Sequence, residues 1–122
     1  MKLWLIVAAV VVLIVFLVYW INRSAPLDAL AKCIDESGAK FYGAFWCPHC
    51  QATKAMFGRS ARFLPYVECS TRDGRSQLSA CSEKGVTQYP TWDFADGSRE
   101  VGELTLEKLA SKTGCTLPAT SN

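Results

Sequence analysis

The sequence predicts an α/β domain, with a mixed sheet of about four strands covered by helices, behind an N-terminal transmembrane helix. One long uncharged apolar run opens the chain of 122 residues. After it, segments with strand-like and helix-like patterns alternate. Alternating strands and helices favour a parallel pair of strands joined by a helix, and a hairpin near the end adds antiparallel strands. A chain of this length has room for one small domain.

The apolar run extends from Leu3 to Ile21 without a charged residue. As a helix it would span roughly 28 Å, which matches the hydrocarbon thickness of a bilayer. A cleaved signal peptide would have a shorter apolar region and a small-x-small cleavage site, whereas Arg23 precedes the only small pair here. We therefore favour an uncleaved anchor and predict that residues 1–25 form a membrane anchor with a short hinge.

Charge and cysteine usage predict the side of the membrane. Lys2 and the amino terminus precede the apolar run and Arg23 follows it, which slightly favours a cytoplasmic location for the short N-terminal end. Six cysteines in so short a chain suit an oxidising compartment. We expect a single-pass protein of a bacterial inner membrane, with its globular part facing the periplasm or another extracytoplasmic space.

The charges do not indicate a nucleic-acid partner. The chain has 13 basic and 11 acidic residues, and two of the basic ones are Lys2 and Arg23 at the membrane. The segment from Pro26 onward is therefore formally neutral. Nucleic-acid binding needs a basic stripe, and none is visible.

Residues 26–116 are predicted to form the globular domain, and residues 117–122 a frayed tail. Pro26 is typical of a helix start, and Gly38 of its end. Thr105 can cap a last helix that ends at Gly114. Between these helices we predict, in order, a strand 40–46, a helix from 47 to about 62, a strand 65–69, a helix from about 76 to 84, and a hairpin of strands 91–94 and 99–101.

The tetrad Cys47-Pro48-His49-Cys50 carries the predicted chemistry. A thiol attacks only as a thiolate, and free N–H groups at a helix start stabilise that charge. Cys47 is therefore predicted to be the nucleophile, and Cys50, one turn later, the residue that resolves a mixed disulfide. Pro48 costs little, because first-turn N–H groups have no intrahelical partner.

His49 has two interpretations. A protonated or hydrogen-bonding imidazole would further stabilise the Cys47 thiolate and make the disulfide more oxidising. The alternative is an exposed spacer, and we favour the tuning role. A zinc knuckle is the rival for the cysteine pair, but it needs a second close pair of ligands, and His49 is the only histidine. We predict no metal site.

Trp46-Cys47-Pro48-His49-Cys50, followed by Tyr89-Pro90-Thr91, resembles the thioredoxin superfamily. The resemblance implies that the bond before Pro90 is cis and that this proline faces the cysteine pair as a substrate-docking turn. It also implies that Trp46 lines the active site, with Tyr89 and Thr91 beside it in substrate binding.

A narrower resemblance covers residues 30 to 115. The stretches FYGAFWCPHC, YVEC, YPTW and LEKLA are similar to the thioredoxin-like domain fused to, or accompanying, bacterial homologues of vitamin K epoxide reductase. This implies a thiol oxidant that takes electrons from client cysteines and passes them to a quinone-reducing membrane partner, here expected as a separate protein. With no strand before the first helix, the expected fold is a trimmed thioredoxin. The uncharged run 41–46 lacks the buried acid of reducing thioredoxins, which favours oxidation.

The other four cysteines admit three pairings. The predicted topology favours Cys69 with Cys81 and leaves Cys33 with Cys115. We favour structural disulfides, as small extracytoplasmic domains use them. A second redox pair at Cys69 and Cys81, or reduced buried thiols, are the alternatives.

Together these features predict a thiol–disulfide oxidoreductase that acts on cysteine-containing client proteins and needs no metal or organic cofactor, because its cysteines carry the electrons. The direction of electron flow is open, with oxidation favoured. The alternative is a binding module on the same fold, in which the disulfides are purely structural.

Overall fold

The computed structural model describes residues 1–119. Its helices and strands follow the predicted order, with one additional 3₁₀ helix at Gly58–Phe63. The α-helices are α1 (Lys2–Asn22), α2 (Asp28–Glu36), α3 (Pro48–Phe57), α4 (Ser79–Ser82) and α5 (Leu106–Thr113), and the strands are β1 (Lys40–Gly43), β2 (Tyr66–Glu68), β3 (Thr91–Asp93) and β4 (Arg99–Val101). Of the predicted frayed tail, residues 117–119 have no regular secondary structure, and 120–122 lie outside the described part of the chain.

The four strands form one mixed sheet in the order β2-β1-β3-β4. β1 runs parallel to β2 and antiparallel to β3, and β4 completes the hairpin with β3. The predicted mixed sheet of about four strands covered by helices is therefore confirmed. Because β1 lies inside the sheet, the loop that follows it is held by the strands on both sides.

Aromatic packing builds the core on one face of the sheet. The rings of Phe41 in β1 and Trp92 in β3 stack at 4.5 Å between centroids, and Phe94 continues the stack. Leu30 and Ile34 of α2 and Leu109 of α5 complete this core. Burying an aromatic or branched side chain contributes roughly 1.5–3 kcal/mol, so this cluster accounts for much of the domain's stability.

The strand predicted over 40–46 ends at Gly43, and the other strands match their predicted bounds to within one residue at each end. Three predicted helix boundaries are wrong, each for a local reason. The helix expected to reach Arg62 ends at Phe57, because Gly58 adopts a φ of 55° and the chain continues as a 3₁₀ helix. The helix expected over 76–84 is a single turn, because Gln77 bridges to Ser70 before α4 begins. Helix α2 begins at Asp28 rather than Pro26. The buried Asp28 carboxylate accepts hydrogen bonds from the Ala25 N–H and the Ser60 hydroxyl, which fixes the chain just before the helix.

Two disulfides tie the domain together. Cys33–Cys115 joins α2 to the segment after α5, with Cα atoms 6.0 Å apart. Cys69–Cys81 joins the residue after β2 to α4, with Cα atoms 5.5 Å apart. Cys47 and Cys50 are free thiols, so the structure represents the reduced form of this pair.

Helix α1 stands apart from the core. Its 21 residues are all exposed, and within the described residues it is the one helix long and apolar enough to cross a membrane. At its end, the Arg59 guanidinium donates hydrogen bonds to the carbonyl oxygens of Ile21 and Arg23 at 2.9 and 3.0 Å. These contacts connect the C-terminal end of α1 to the segment directly after α3.

Candidate active site

The start of α3 presents the first cysteine. Cys47 is the N-cap residue, with extended backbone, and Pro48 is the first helical residue. The unpaired N–H groups of this turn and the helix dipole favour negative charge at the Cys47 sulfur. The residue is 5% exposed and Cys50 is 1% exposed, so Cys47 is the less buried of the two.

Cys50 lies one turn further along, against β1. A Cβ atom at Gly43 would lie only 2.8 Å from the Cys50 sulfur and 2.8 Å from Cε2 of Tyr66. Glycine at this position therefore lets α3 approach the strand closely enough to bury Cys50. This role of Gly43 was not predicted from the sequence, although a glycine inside an aromatic strand often marks a close approach.

The surroundings of Cys50 keep it protonated. Burial raises the pKa of the Cys50 thiol to about 12, although the Ala44 N–H and the charge of Lys54 oppose the shift. The neighbouring Cys47 sulfur adds to it. At neutral pH Cys50 is therefore a thiol, which agrees with its assignment as the residue that does not attack clients.

A turn that includes Pro90 faces the cysteine pair. The Tyr89–Pro90 bond is cis. The Cys47 thiol lies 3.8 Å from the Tyr89 carbonyl oxygen, and Thr91 begins β3 with its hydroxyl donating to the Gln88 carbonyl at 2.7 Å. Both Pro90 and Thr91 are buried. The structure thus brings Pro90 beside Cys47, where the resemblance placed it, and leaves the Tyr89 backbone at the sulfur.

Aromatic side chains line the approach to Cys47. Trp46 and Phe45, directly before the motif, are each 49% exposed. The Trp46 indole donates to the Ser70 hydroxyl at 2.9 Å and meets Tyr89 edge-on at 6.0 Å. Gln77 donates in turn to the Tyr89 hydroxyl at 2.8 Å. Side chains held in this way offer a preformed apolar surface beside the reactive sulfur.

The Cys69–Cys81 disulfide lies behind this surface. Both cysteines are 0% exposed, and Ser70, which holds Trp46, follows Cys69 directly. The bond closes the loop that carries Ser70 and Gln77. Its burial supports a structural role and argues against direct exchange with Cys47 or with clients.

A hydrogen-bonded cluster supports the segment before the motif. Burial and the adjacent carboxylate raise the pKa of Tyr66, so its hydroxyl donates to Glu68 at 2.8 Å. Glu68 also accepts from the backbone N–H groups of Phe45 and Ser70 at 3.2 and 2.9 Å. Lys54 lies over the Tyr66 ring at 3.4 Å. Glu68 was not predicted as a site residue, because its partners come together only when β2 pairs with β1.

His49 projects outward from the first turn of α3. Its side chain is 69% exposed, and its Nδ1 lies 2.9 Å from Oε1 of Glu103. Glu103 follows β4 and was not predicted as a site residue. Within residues 1–119, no group of three or more metal-ligating side chains is arranged to hold an ion.

The fold and the dicysteine turn define a thioredoxin-like domain, and comparison with known proteins agrees. The chain is 45% identical over 101 residues to the thiol-disulfide oxidoreductase LTO1 of Arabidopsis thaliana, which covers 79% of the chain and 27% of that protein. It is 40% identical over 65 residues to protein disulfide-isomerase A2 of Pongo abelii and 39% identical over 59 residues to the human protein, covering 12% and 11% of those relatives. No protein-family model matches the chain.

These relatives share thiol–disulfide chemistry by name, and the shared stretch is long enough to support a thioredoxin-like protein. The chain spans about a quarter of the length of the Arabidopsis relative. What the remaining length of that protein does therefore does not transfer to this chain.

Proposed function

We propose that the protein is a membrane-anchored thiol–disulfide oxidoreductase that oxidises cysteines of client proteins outside the cytoplasm. The observation that carries the proposal is the position of Cys47, which caps α3 beside the Tyr89–Pro90 turn and two exposed aromatic side chains. Names of the relatives support the chemistry. Helix α1 supports the anchor.

The oxidation proceeds through two exchanges. A client thiolate attacks the Cys47 sulfur of the Cys47–Cys50 disulfide, and Cys50 leaves with the bonding electron pair and takes up a proton. The raised pKa of Cys50 favours that protonation. A second client thiolate then attacks the client sulfur of the mixed disulfide, and Cys47 leaves as the thiolate. The client gains a disulfide, and its two electrons remain on the reduced cysteine pair.

The direction and the electron acceptor are part of the same proposal. β1 carries no acidic residue beneath the cysteine pair, since Phe41, Tyr42 and Gly43 follow Lys40. The electrons would pass to a quinone-reducing membrane partner similar to vitamin K epoxide reductase, as the resemblance of residues 30–115 implies. An anchor that keeps the domain at the bilayer would favour that transfer.

Trapping of clients tests the activity. In Cys50→Ala the Cys47 thiolate can still attack the disulfide of an oxidised client, which is the reverse of the second exchange and frees one client thiol. The variant lacks the Cys50 thiol that would attack this mixed disulfide and release the client in reduced form, so client proteins should accumulate on the variant and be released by reductant. Cys47→Ala is the matched control and should trap none.

The alternative binding module makes the opposite prediction for the reduction potential of Cys47–Cys50. A working pair lies above about −300 mV, whereas a structural bond lies below it. If Cys50→Ala traps no client and the potential is that of a structural bond, the oxidoreductase proposal is wrong.

A further inference from the structure

The segment that carries Glu103 is held at both ends. The Gly102 N–H donates to the Pro90 carbonyl at 2.8 Å, which ties the segment to the turn facing Cys47. On the other side, the Thr105 hydroxyl caps α5 by accepting from the Lys108 N–H at 3.1 Å. Glu103 is therefore held between two elements of the domain, and its carboxylate meets His49 from the Pro90 side of the site.

The contact between Glu103 and His49 determines which ring nitrogen carries a proton. A carboxylate only accepts hydrogen bonds, so the Nδ1 at 2.9 Å from Oε1 must donate. The nitrogen that gains or loses a proton is then Nε2. The titratable neighbours of His49 within the first turn of α3 are Cys47 and Cys50. From another element of the fold, the charged group in contact with His49 is Glu103.

A base is useful at this position. The client's nucleophile is a thiolate, and a client thiol must lose its proton before it attacks Cys47. The His49 side chain is 69% exposed and follows Cys47 by two residues in the first turn of α3, so an incoming thiol can reach its ring from solvent. Cys50, whose pKa is raised to about 12, must gain a proton when it leaves. In the first exchange, therefore, the client thiol gives up a proton and the Cys50 sulfur takes one up.

We propose that Glu103 is a positioning residue that holds His49 with Nδ1 protonated, so that Nε2 accepts the proton of the incoming client thiol. This inference rests on the proposed oxidoreductase function. The client S–H bond breaks, Nε2 takes the proton, and the new thiolate displaces Cys50 from Cys47. The imidazolium then returns the proton through solvent to the departing Cys50, and Glu103 stabilises the transient positive charge.

The test uses the full chain in detergent micelles, where the single histidine gives one pair of ring-nitrogen NMR signals. In wild-type protein above the titration of the ring, the signals should report a proton on Nδ1. Glu103→Ala should lose this preference, whereas Glu103→Gln, which keeps an acceptor oxygen, should retain it. If the ring-nitrogen signals of Glu103→Ala match those of the wild type, the proposal is wrong.

The kinetic arm measures single-turnover oxidation of a peptide with two cysteines. Glu103→Ala should slow the reaction about two- to fivefold, the range an exposed ion pair supports. In a His49→Gln background the same change should have no effect. Glu83→Ala removes an exposed carboxylate at the end of α4 and serves as the control, with a wild-type rate expected.

The two levels of the hypothesis fail differently. If Glu103→Ala slows the reaction equally with and without His49, or not at all, Glu103 does not act through His49. If the wild-type protein itself does not oxidise the peptide, the oxidoreductase function is wrong, and the NMR signals still decide whether Glu103 holds the ring.

Discussion

The Cys47–Cys50 pair and the Cys69–Cys81 pair are set in different environments. Cys47 caps a helix beside exposed aromatic side chains, whereas Cys69 and Cys81 are completely buried beneath the loop that holds Trp46. Sequence spacing alone leaves both pairs open to a redox role. Burial is complete at Cys69 and Cys81, whereas Cys47 keeps 5% exposure, and thiol–disulfide exchange requires a thiolate to reach the sulfur.

The largest effects are expected when each of the two disulfides is removed in turn. In the chain-entropy model, Cys33→Ser with Cys115→Ser opens a loop with a sequence separation of 82 and should lower the free energy of unfolding by about 4.5 kcal/mol. The same change at Cys69 and Cys81, with a separation of 12, should cost about 3 kcal/mol. Denaturant unfolding measures both.

The two double variants should also differ in activity. The rate of client oxidation per folded molecule should stay at the wild-type level without Cys33–Cys115, which joins α2 to the segment after α5 and does not close the loop that holds Trp46. It should fall without Cys69–Cys81, because the loop that carries Ser70 and Gln77 loses its tie. Equal rates in the two variants would show that the buried bond does not support the surface beside Cys47.

Gly43 tests how closely Cys50 must pack. Gly43→Ala places a Cβ atom 2.8 Å from the Cys50 sulfur, so either α3 or Tyr66 must move. Overpacking of this kind costs about 1–3 kcal/mol of unfolding free energy, and Cys50 should become accessible to alkylation in the reduced protein. Gly97→Ala is the control: it strains a turn with a φ of 83° in open space and should leave Cys50 protected. Unchanged protection in both variants would contradict the assigned role of Gly43.

The smallest expected effect is a pH dependence of the reduced form. The pKa of Cys50 is raised from 9.0 to about 12 on folding, so the folded state disfavours its thiolate. Stability from this group is fully present below pH 9 and is lost as pH rises through the window from about 9 to 12. Thermal unfolding of reduced protein should show this loss, and Cys50→Ser should remove it. A loss of the same size in Cys50→Ser would assign it to other groups.

Residue patterns predicted the cysteine turn, the order of elements and the apolar helix, because each is encoded by neighbours in the chain. The helix expected over 76–84 failed for the opposite reason. Its first residues pair with Ser70 instead, since Gln77 forms a bridge there and also holds Tyr89. A local propensity cannot anticipate a competing partner that only the folded chain supplies.

Glu68, Glu103 and Gly43 show the same limit within the site. Nothing around Glu68 and Glu103 in the sequence marks them as more than a strand end and a loop acid, and the strand glycine at 43 signals a close approach without naming its partner. Glu68 binds the Phe45 backbone because β2 pairs with β1, and Glu103 reaches His49 because Gly102 bonds to Pro90.

The sequence by itself determined the reactive motif, the mixed α/β order and an apolar segment long enough to span a bilayer. Only the tertiary structure decided which cysteine is more deeply buried, which aromatic side chains border the Cys47 sulfur, and which carboxylate meets the histidine. The reason is physical: reactivity depends on solvent access and on partners distant in the chain, and both are set when the strands pair and the helices pack against them.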